Sequence, residues 1–267
     1  MARPLTLVGC FAHPDDETWA LAGSFAMLVP NGVCGAVWTA TRGDAGEIAP
    51  GTAARENLAA VREAEERAAM ARVGVSDVEF ADFADGRLDQ ADPADLVTAV
   101  AAFLVARQPD VVVTMEPDGV TGHPDHRAVT AAVKAAFAAY AAADRQPEPR
   151  LYYYGAPASE LARWAKAGAD AGLDLPGATD PFGVPGTPDE QFTCWVDTAA
   201  VAEQTRRALG EHRTQSADPL WQVTVAGDLW RDTLARIAFI RVHPAPRPDE
   251  PPESSLLDAF GPGAAGG

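Results

Sequence analysis

Short, almost wholly apolar runs alternate along the chain with longer stretches in which apolar residues recur every three or four positions. Residues 5–12, 33–41, 78–83 and 111–115 have the first pattern, and residues 18–28, 53–73, 93–106 and 127–142 the second. The first pattern predicts strands buried on both faces and the second amphipathic helices. Strands punctuated by helices make βαβ units, so the expected fold is α/β: Rossmann-like, with a mostly parallel sheet and helices on both faces. Past Pro147 the rhythm weakens. Residues 151–154, 192–196 and 237–242 read as further strands, and 161–167 and 198–212 as helices. Residues 168–190, rich in Gly, Pro and Asp, read as a long loop. From residue 244 the chain is rich in Pro and then Gly. The expectation is one domain over residues 1–243 and a largely disordered tail over 244–267, in which Leu256, Leu257 and Phe260 could still dock.

The composition, 47% hydrophobic and 22% charged over 267 residues, is that of an ordinary globular chain. Its balance is acidic, with 38 Asp and Glu against 21 Lys and Arg and a net charge of −17. Such a surface repels phosphate backbones and anionic lipid, which argues against nucleic-acid and membrane partners and favours a neutral or cationic small substrate. The opening apolar run is too short to span a membrane and lacks a leader's cleavage pattern. Cys10, Cys34 and Cys194 are widely spaced, fit a reducing compartment, and read as buried small apolar residues. A cytoplasmic location is expected, and the apolar tail residues leave association between copies open.

The candidate chemistry sits at two predicted strand ends. His13-Pro14-Asp15-Asp16-Glu17 follows the first strand, and Gly122-His123-Pro124-Asp125-His126 follows the run at 111–115 by a short stretch. Of five histidines, three lie in these segments. Ligands of open parallel sheets gather at the carboxyl ends of the strands, so the two segments are expected to meet. A catalytic zinc takes three protein ligands and leaves a position open. His13 and Asp16, three apart at a helix start, can face one side, and His126 can supply the third ligand. Asp15 is then left unligated beside the ion, where a general base belongs. His123 can stabilise an oxyanion or donate a proton, and Asp125 can hold a histidine ring N–H and fix its tautomer. An Asp at a helix start is usually only a cap; the pairing of two His-Pro-Asp clusters is what carries the argument.

These two clusters resemble the signature of the PIG-L/LmbE-like zinc deacetylases, and weaker matches extend the likeness over most of residues 5–243. Thr41-Arg42-Gly43-Asp44-Ala45-Gly46-Glu47 is similar to the family's Thr-x-Gly-Glu-x-Gly turn, with Asp44 in place of Glu. Arg62-Glu63-Ala64-Glu65 and Asp85-Gly86-Arg87-Leu88 are similar to its Arg-Glu-x-Glu helix and its Asp-Gly loop. The resemblance implies zinc at His13, Asp16 and His126, Asp15 as base, His123 as its partner, and Arg62 and Asp85 as binders of a sugar or polyol. It departs at Thr121, where mycothiol-pathway members carry a tyrosine that reaches the reacting carbonyl. His212-Arg213-Thr214-Gln215 resembles a further motif that could line the pocket, and serves equally well as a cation at a helix end. Trp19 reads as core, and Tyr152 to Tyr154 as alternating between core and surface.

The expected activity is removal of an N-acetyl or other N-acyl group from an N-acetylglucosamine-type conjugate. An amidase acting on thiol S-conjugates is the same chemistry on a larger substrate. Fe2+ could occupy the same ligands, and two histidines with one carboxylate also describe iron(II) oxygenases; the βαβ alternation argues against those. A sugar-binding protein without turnover would not need both Asp15 and His123.

Overall fold

The computed structural model describes residues 3–143, 145–170, 186–218, 221–227 and 229–261. Seven strands form one sheet in the order β3-β2-β1-β4-β5-β7-β6. They are β1 Thr6–Phe11, β2 Cys34–Thr39, β3 Asp77–Phe80, β4 Val111–Met115, β5 Arg150–Tyr154, β6 Cys194–Asp197 and β7 Arg236–His243. The first five run parallel, whereas β7 pairs antiparallel with both β5 and β6. Among the described residues the helices of eight residues or more are α1 Asp16–Leu28, α2 Leu58–Arg72, α3 Pro93–Arg107, α4 Pro124–Ala141, α5 Ala158–Asp170 and α6 Ala202–Leu209. The α/β class, the mostly parallel sheet and the two helical layers are as expected.

Each face of the sheet has its own core. Leu7, Val37, Val111 and Val113 point to the layer of Leu21, Phe25 and Met70 from α1 and α2. Val8, Cys10, Trp38 and Val112 point to Leu96, Phe103, Val129 and Phe137 from α3 and α4. Alternate residues of one strand thus serve opposite layers, which is why these strands read as unbroken apolar runs.

The strand order fixes the position of the site. The chain leaves β1 toward β2 and β3, then α3 carries it back to β4 on β1's other side. The connections diverge between β1 and β4, and a crevice opens at their carboxyl ends.

Several boundaries differ from expectation. The expected helix over 53–73 begins with a 3-10 turn, Arg55–Asn57, before α2, and that over 198–212 is α6 preceded by Ala199–Val201. Of the expected loop over 168–190, residues 168–170 complete α5, and Thr187 bridges Pro157; residues 171–185 lie outside the described residues. Cys10 and Cys194 are buried, but Cys34 is exposed, because it opens β2 at the sheet's rim.

The tail is the main correction. Part of it docks on the domain, through Glu253, Leu256 and Leu257, whereas residues 245–249 are exposed. Glu253 bridges Cys194, donating its N–H to Thr193 O at 2.7 Å and accepting from Trp195 N–H at 2.8 Å, so it adds to the β6 edge. Its carboxylate takes hydrogen bonds from Tyr152 Oη at 2.9 Å, Arg241 Nη1 at 2.6 Å and Arg150 Nη1. Leu256 and Leu257 are buried in the α1-side core. The physical reason is pairing: Arg241 is buried, and a buried guanidinium needs carboxylates, which Glu250 and Glu253 bring. A single strand-like bridge and two leucines leave no periodic pattern to read. Residues 262–267 of the expected tail lie outside the described residues.

Candidate active site

The backbone leaving β1 turns sharply into α1. Asp15, at the cap position, has φ 119°, a strained value for a residue with a side chain. The turn brings Asp16 back under the loop, where Oδ2 accepts the N–H groups of Ala12 and His13 at 3.2 and 2.9 Å. Beyond β4, Gly119 holds φ +82°, and a Cβ there would stand 2.8 Å from His126 Cβ. Only glycine allows His126 that close to the loop. His126 then opens α4 one turn after His123, whose Nδ1 caps that helix by accepting Asp125 N–H at 3.2 Å.

These two loops bring His13, Asp16 and His126 together. His13 Nδ1 lies 3.1 Å from His126 Nε2 and 3.7 Å from Asp16 Oδ2, and Asp16 Oδ1 lies 3.4 Å from His126 Nε2. Outer partners set the tautomers. His126 Nδ1 lies 2.9 Å from Gly119 O, a carbonyl that can only accept, so Nδ1 carries the proton. His13 Nε2 lies 3.3 Å from Asp125 Oδ2 and 3.1 Å from Asp85 Oδ1, so its proton faces those carboxylates. In the neutral rings, the lone pairs of His13 Nδ1 and His126 Nε2 therefore point at each other, with a carboxylate beside them. Three electron pairs converging in a buried site call for a cation. The separations compare with the about 3.3 Å expected between ligands of a tetrahedral ion with bonds of about 2.0–2.1 Å. The nitrogen-and-oxygen donor set thus fits a divalent metal.

The electrostatics agree. Burial acts to lower the His13 pKa, but the hydrogen bonds to Asp125 and Asp85 raise it to about 10. Burial acts to raise Asp16, yet His126 and His13 hold it well below the usual carboxylate range. Asp85 sits at about 2: burial acts against this, and His13 overcomes it. Where no ion is bound, protons supply the positive charge the cluster demands. His123 is different: burial and the two neighbouring histidines lower its pKa, keeping it neutral. With its Nδ1 lone pair on the cap, its proton is on Nε2. Its ring centroid lies 4.8 Å from that of His13 and 5.0 Å from that of His126. One nitrogen from each of the three rings falls within 4.8 Å of the others, so His123 borders the cluster.

Asp15 stands next to this cluster. Burial pushes its carboxyl up to about 6, against the pull of Arg62, whose Nη2 lies 3.3 Å from Asp15 Oδ2. Arg62 is itself buried and donates to Pro14 O at 2.6 Å and Gly43 O at 2.9 Å. It thereby ties the β1 and β2 loops together. Gly43 is left-handed, and a Cβ there would collide with the guanidinium. Asp125 accepts the N–H groups of Gly86 and Leu88 at 2.7 and 3.0 Å, and Asp85 accepts that of Ala45 at 2.7 Å.

All eight candidate residues from the sequence are therefore within one neighbourhood, and all but Asp125 line a cavity of about 690 Å³. Thr121 lines it too, 3.4 Å from His126 Nδ1. His212 is a pocket residue, with Nε2 2.9 Å from Thr18 Oγ1, and not merely a helix-end cation. Trp19 is a correction. It was expected in the core, but it is half-buried and lines the cavity, as do Tyr154, Trp164 and Trp221. Nothing marked the three tryptophans in the sequence, because their elements follow no shared motif; Tyr154 belongs to a run of which one member could stack on a sugar. Glu17 and Glu66 were also missed. Both are fully buried beneath the site, where Glu17 accepts Asp15 N–H at 2.9 Å and Glu66 accepts Thr39 Oγ1–H at 2.6 Å.

A doubly wound α/β sheet with this crevice at its switch point defines the fold as Rossmann-like. Residues 8–137 match the model of the PIG-L family, GlcNAc-PI de-N-acetylase. The chain is 32% identical to the 1D-myo-inositol 2-acetamido-2-deoxy-alpha-D-glucopyranoside deacetylase of Rhodococcus opacus (strain B4), over 91% of this chain and 92% of that one. It is 30% identical to the deacetylase of the same name from Thermobifida fusca (strain YX), over 97% and 99%. The chain belongs to the PIG-L family of N-deacetylases. Among solved structures, N,N'-diacetylchitobiose deacetylase from Pyrococcus horikoshii shares the fold at a TM-score of 0.60 and 20% identity, covering 91% of this chain and 88% of that one. The hydratase GalB shares it at 0.61 and 18%, covering 92% and 99%.

Proposed function

We propose that this protein is a zinc-dependent hydrolase that removes the N-acyl group of an N-acetylglucosamine-type conjugate. The observation that carries the reading is the convergence of the His13, His126 and Asp16 donors beside the carboxyl group of Asp15. His13, Asp16 and His126 would hold the ion, and Fe2+ suits the same donors. A zinc ion there supplies a Lewis acid that polarises the amide carbonyl and acidifies water. Asp15 takes the proton of the attacking water, and its raised pKa suits it to return that proton to the departing amine. Arg62 keeps the Asp15 carboxyl aimed and ionised. The neutral His123 donates its Nε2 proton as a hydrogen bond to the oxyanion. Asp125 fixes the His13 ring, and Asp85 shares that role from the sugar-facing side. Arg62 and Asp85 line the wall where a hydroxyl-rich ring finds polar partners.

The relatives' substrate, an acetamido-deoxyglucopyranoside of inositol, supports an amino-sugar conjugate here. No described helix is long and apolar enough to cross a membrane. Three free cysteines support a cytoplasmic site of action. The test is metal analysis together with acetate release from a small library of N-acetylglucosaminides. Stoichiometric zinc and amine release are expected; protein that binds zinc yet releases no amine from any member would overturn the proposal.

A further inference from the structure

Asp15 is held by more than Arg62. Its φ of 119° is a conformation that a residue with a side chain keeps only where its surroundings enforce it. Arg62 Nη2 meets the carboxyl group, 3.3 Å from Oδ2, whereas the peptide is held from the other side: Asp15 N–H donates to Glu17 Oε2 at 2.9 Å. A Glu that accepts the N–H of a cap residue is a common way to start a helix. Here that Glu is fixed in its turn by a distant part of the chain. Thr18 Oγ1–H donates to Glu17 Oε1, and His212 Nε2, 194 positions further on, lies 2.9 Å from Thr18 Oγ1. A hydroxyl has one proton to give, and Thr18 gives it to the carboxylate, so His212 Nε2 is the donor to Thr18. Nε2 also lies 3.6 Å from Glu17 Oε1, and Nδ1 has no hydrogen-bond partner among the described residues. The hydrogen bonding of this ring is therefore directed at the start of α1. Glu17 and Thr18 are fully buried and His212 is 1% exposed, so water does not compete for these groups. The turn that carries His212 is anchored as well. Thr214 N–H donates to Glu65 Oε1 on α2 at 2.9 Å, and Thr214 O accepts Ala49 N–H from the loop after β2 at 2.8 Å.

We propose that His212, acting through Thr18 and Glu17, is a positioning residue for Asp15. The chain of hydrogen bonds holds the Asp15 peptide in the strained turn that sets its carboxyl group beside the donors of His13, Asp16 and His126. The inference rests on the reading of Asp15 as the base and adds what keeps that base in place. A reacting group misplaced by about 1 Å costs about a hundredfold in rate, so loosening the chain should appear in kcat rather than in substrate binding.

The experiment measures kcat, KM and zinc content with an N-acetylglucosaminide for wild type, Thr18→Val, Thr18→Ser and His212→Leu. Thr18→Val and His212→Leu are also each combined with Asp15→Asn. Valine keeps the shape of the buried side chain without the hydroxyl, and serine keeps the hydroxyl. The expected result is a kcat lowered at least about tenfold in Thr18→Val and His212→Leu, with KM and zinc content unchanged and Thr18→Ser within about threefold of wild type. In the Asp15→Asn background the same two substitutions should change the residual rate by less than about twofold, because residues that act through one group are not additive with its loss. If Thr18→Val does not fold, Thr18→Ala takes its place. Wild-type kcat in both Thr18→Val and His212→Leu overturns the inference while leaving the base reading intact. A raised KM at constant kcat gives His212 to substrate contact, and a loss of zinc gives the network to Asp16; each overturns the inference. Near-normal turnover in Asp15→Asn overturns the base reading instead. If wild type cleaves no N-acetylglucosaminide, the deacylase reading fails, and a crystal structure of Thr18→Val decides the anchoring separately. Asp15 leaving the positive-φ region supports it, and an unmoved Asp15 overturns it.

Discussion

His13 and His126 stand 113 positions apart in the chain, yet their Nδ1 and Nε2 atoms face each other across 3.1 Å. Their outer nitrogens are committed, one to the carboxylates of Asp125 and Asp85 and the other to the Gly119 carbonyl. The proposed metal site rests on this pairing of inner lone pairs.

Metal removal should destabilise the fold locally and reversibly. A chelator is expected to lower Tm, and stoichiometric zinc to restore it, because binding to the folded state alone stabilises by mass action. His126→Ala should lose the zinc content measured by elemental analysis and become insensitive to the chelator.

Asp15→Asn should keep the metal and lose the chemistry. A general base contributes about 10²–10⁴ in rate, so kcat is expected to fall by at least about a hundredfold while zinc content is unchanged. Near-normal turnover in this variant would exclude Asp15 as the base.

The acid limb of the kcat/KM profile should report the same carboxyl. Burial raises Asp15 to about 6 against the pull of Arg62. The ionised form is the active base, so activity should be lost as pH falls through the pKa. Removing the guanidinium removes the pull toward lower values. In Arg62→Met the limb should therefore move to higher pH, and in Arg62→Lys it should move less. A limb that does not move would dissociate Arg62 from Asp15.

Glu116 offers a pH test of stability away from the reaction. Burial raises its carboxyl from 4.5 to about 7, despite the hydrogen bond donated by Thr187 Oγ1 at 2.7 Å. The folded protein therefore binds more protons than the unfolded chain between these values. Stability should fall as pH rises from about 4.5 to about 7, and the deficit, on the order of 3 kcal/mol, should persist above that. Glu116→Gln should be more stable than wild type at pH 8 and indistinguishable near pH 4, as measured by urea denaturation.

The C-terminal segment should contribute to global stability. Leu256 is 1% exposed, so Leu256→Ala should cost about 2–5 kcal/mol in urea denaturation. Val105→Ala, at a residue 59% exposed, should change stability by less than about 0.5 kcal/mol. A Leu256→Ala variant as stable as the Val105→Ala control would mean that the segment does not hold the core.

The sequence by itself determined the α/β architecture and the two segments whose side chains converge at the cavity. Strand burial on both faces and helical periodicity are local properties, and the converging donors sit in contiguous motifs at strand ends, where short-range geometry places them. Tertiary structure decided what depends on contacts between distant segments. Arg62 reaching Pro14 and Gly43, Glu253 docking beside Cys194 and the gathering of Trp19, Trp164 and Trp221 around one cavity all arise from chain crossings. None leaves a period or a spacing along the sequence, because the partners are chosen by the order of strands in the sheet and by the need to pair buried charge.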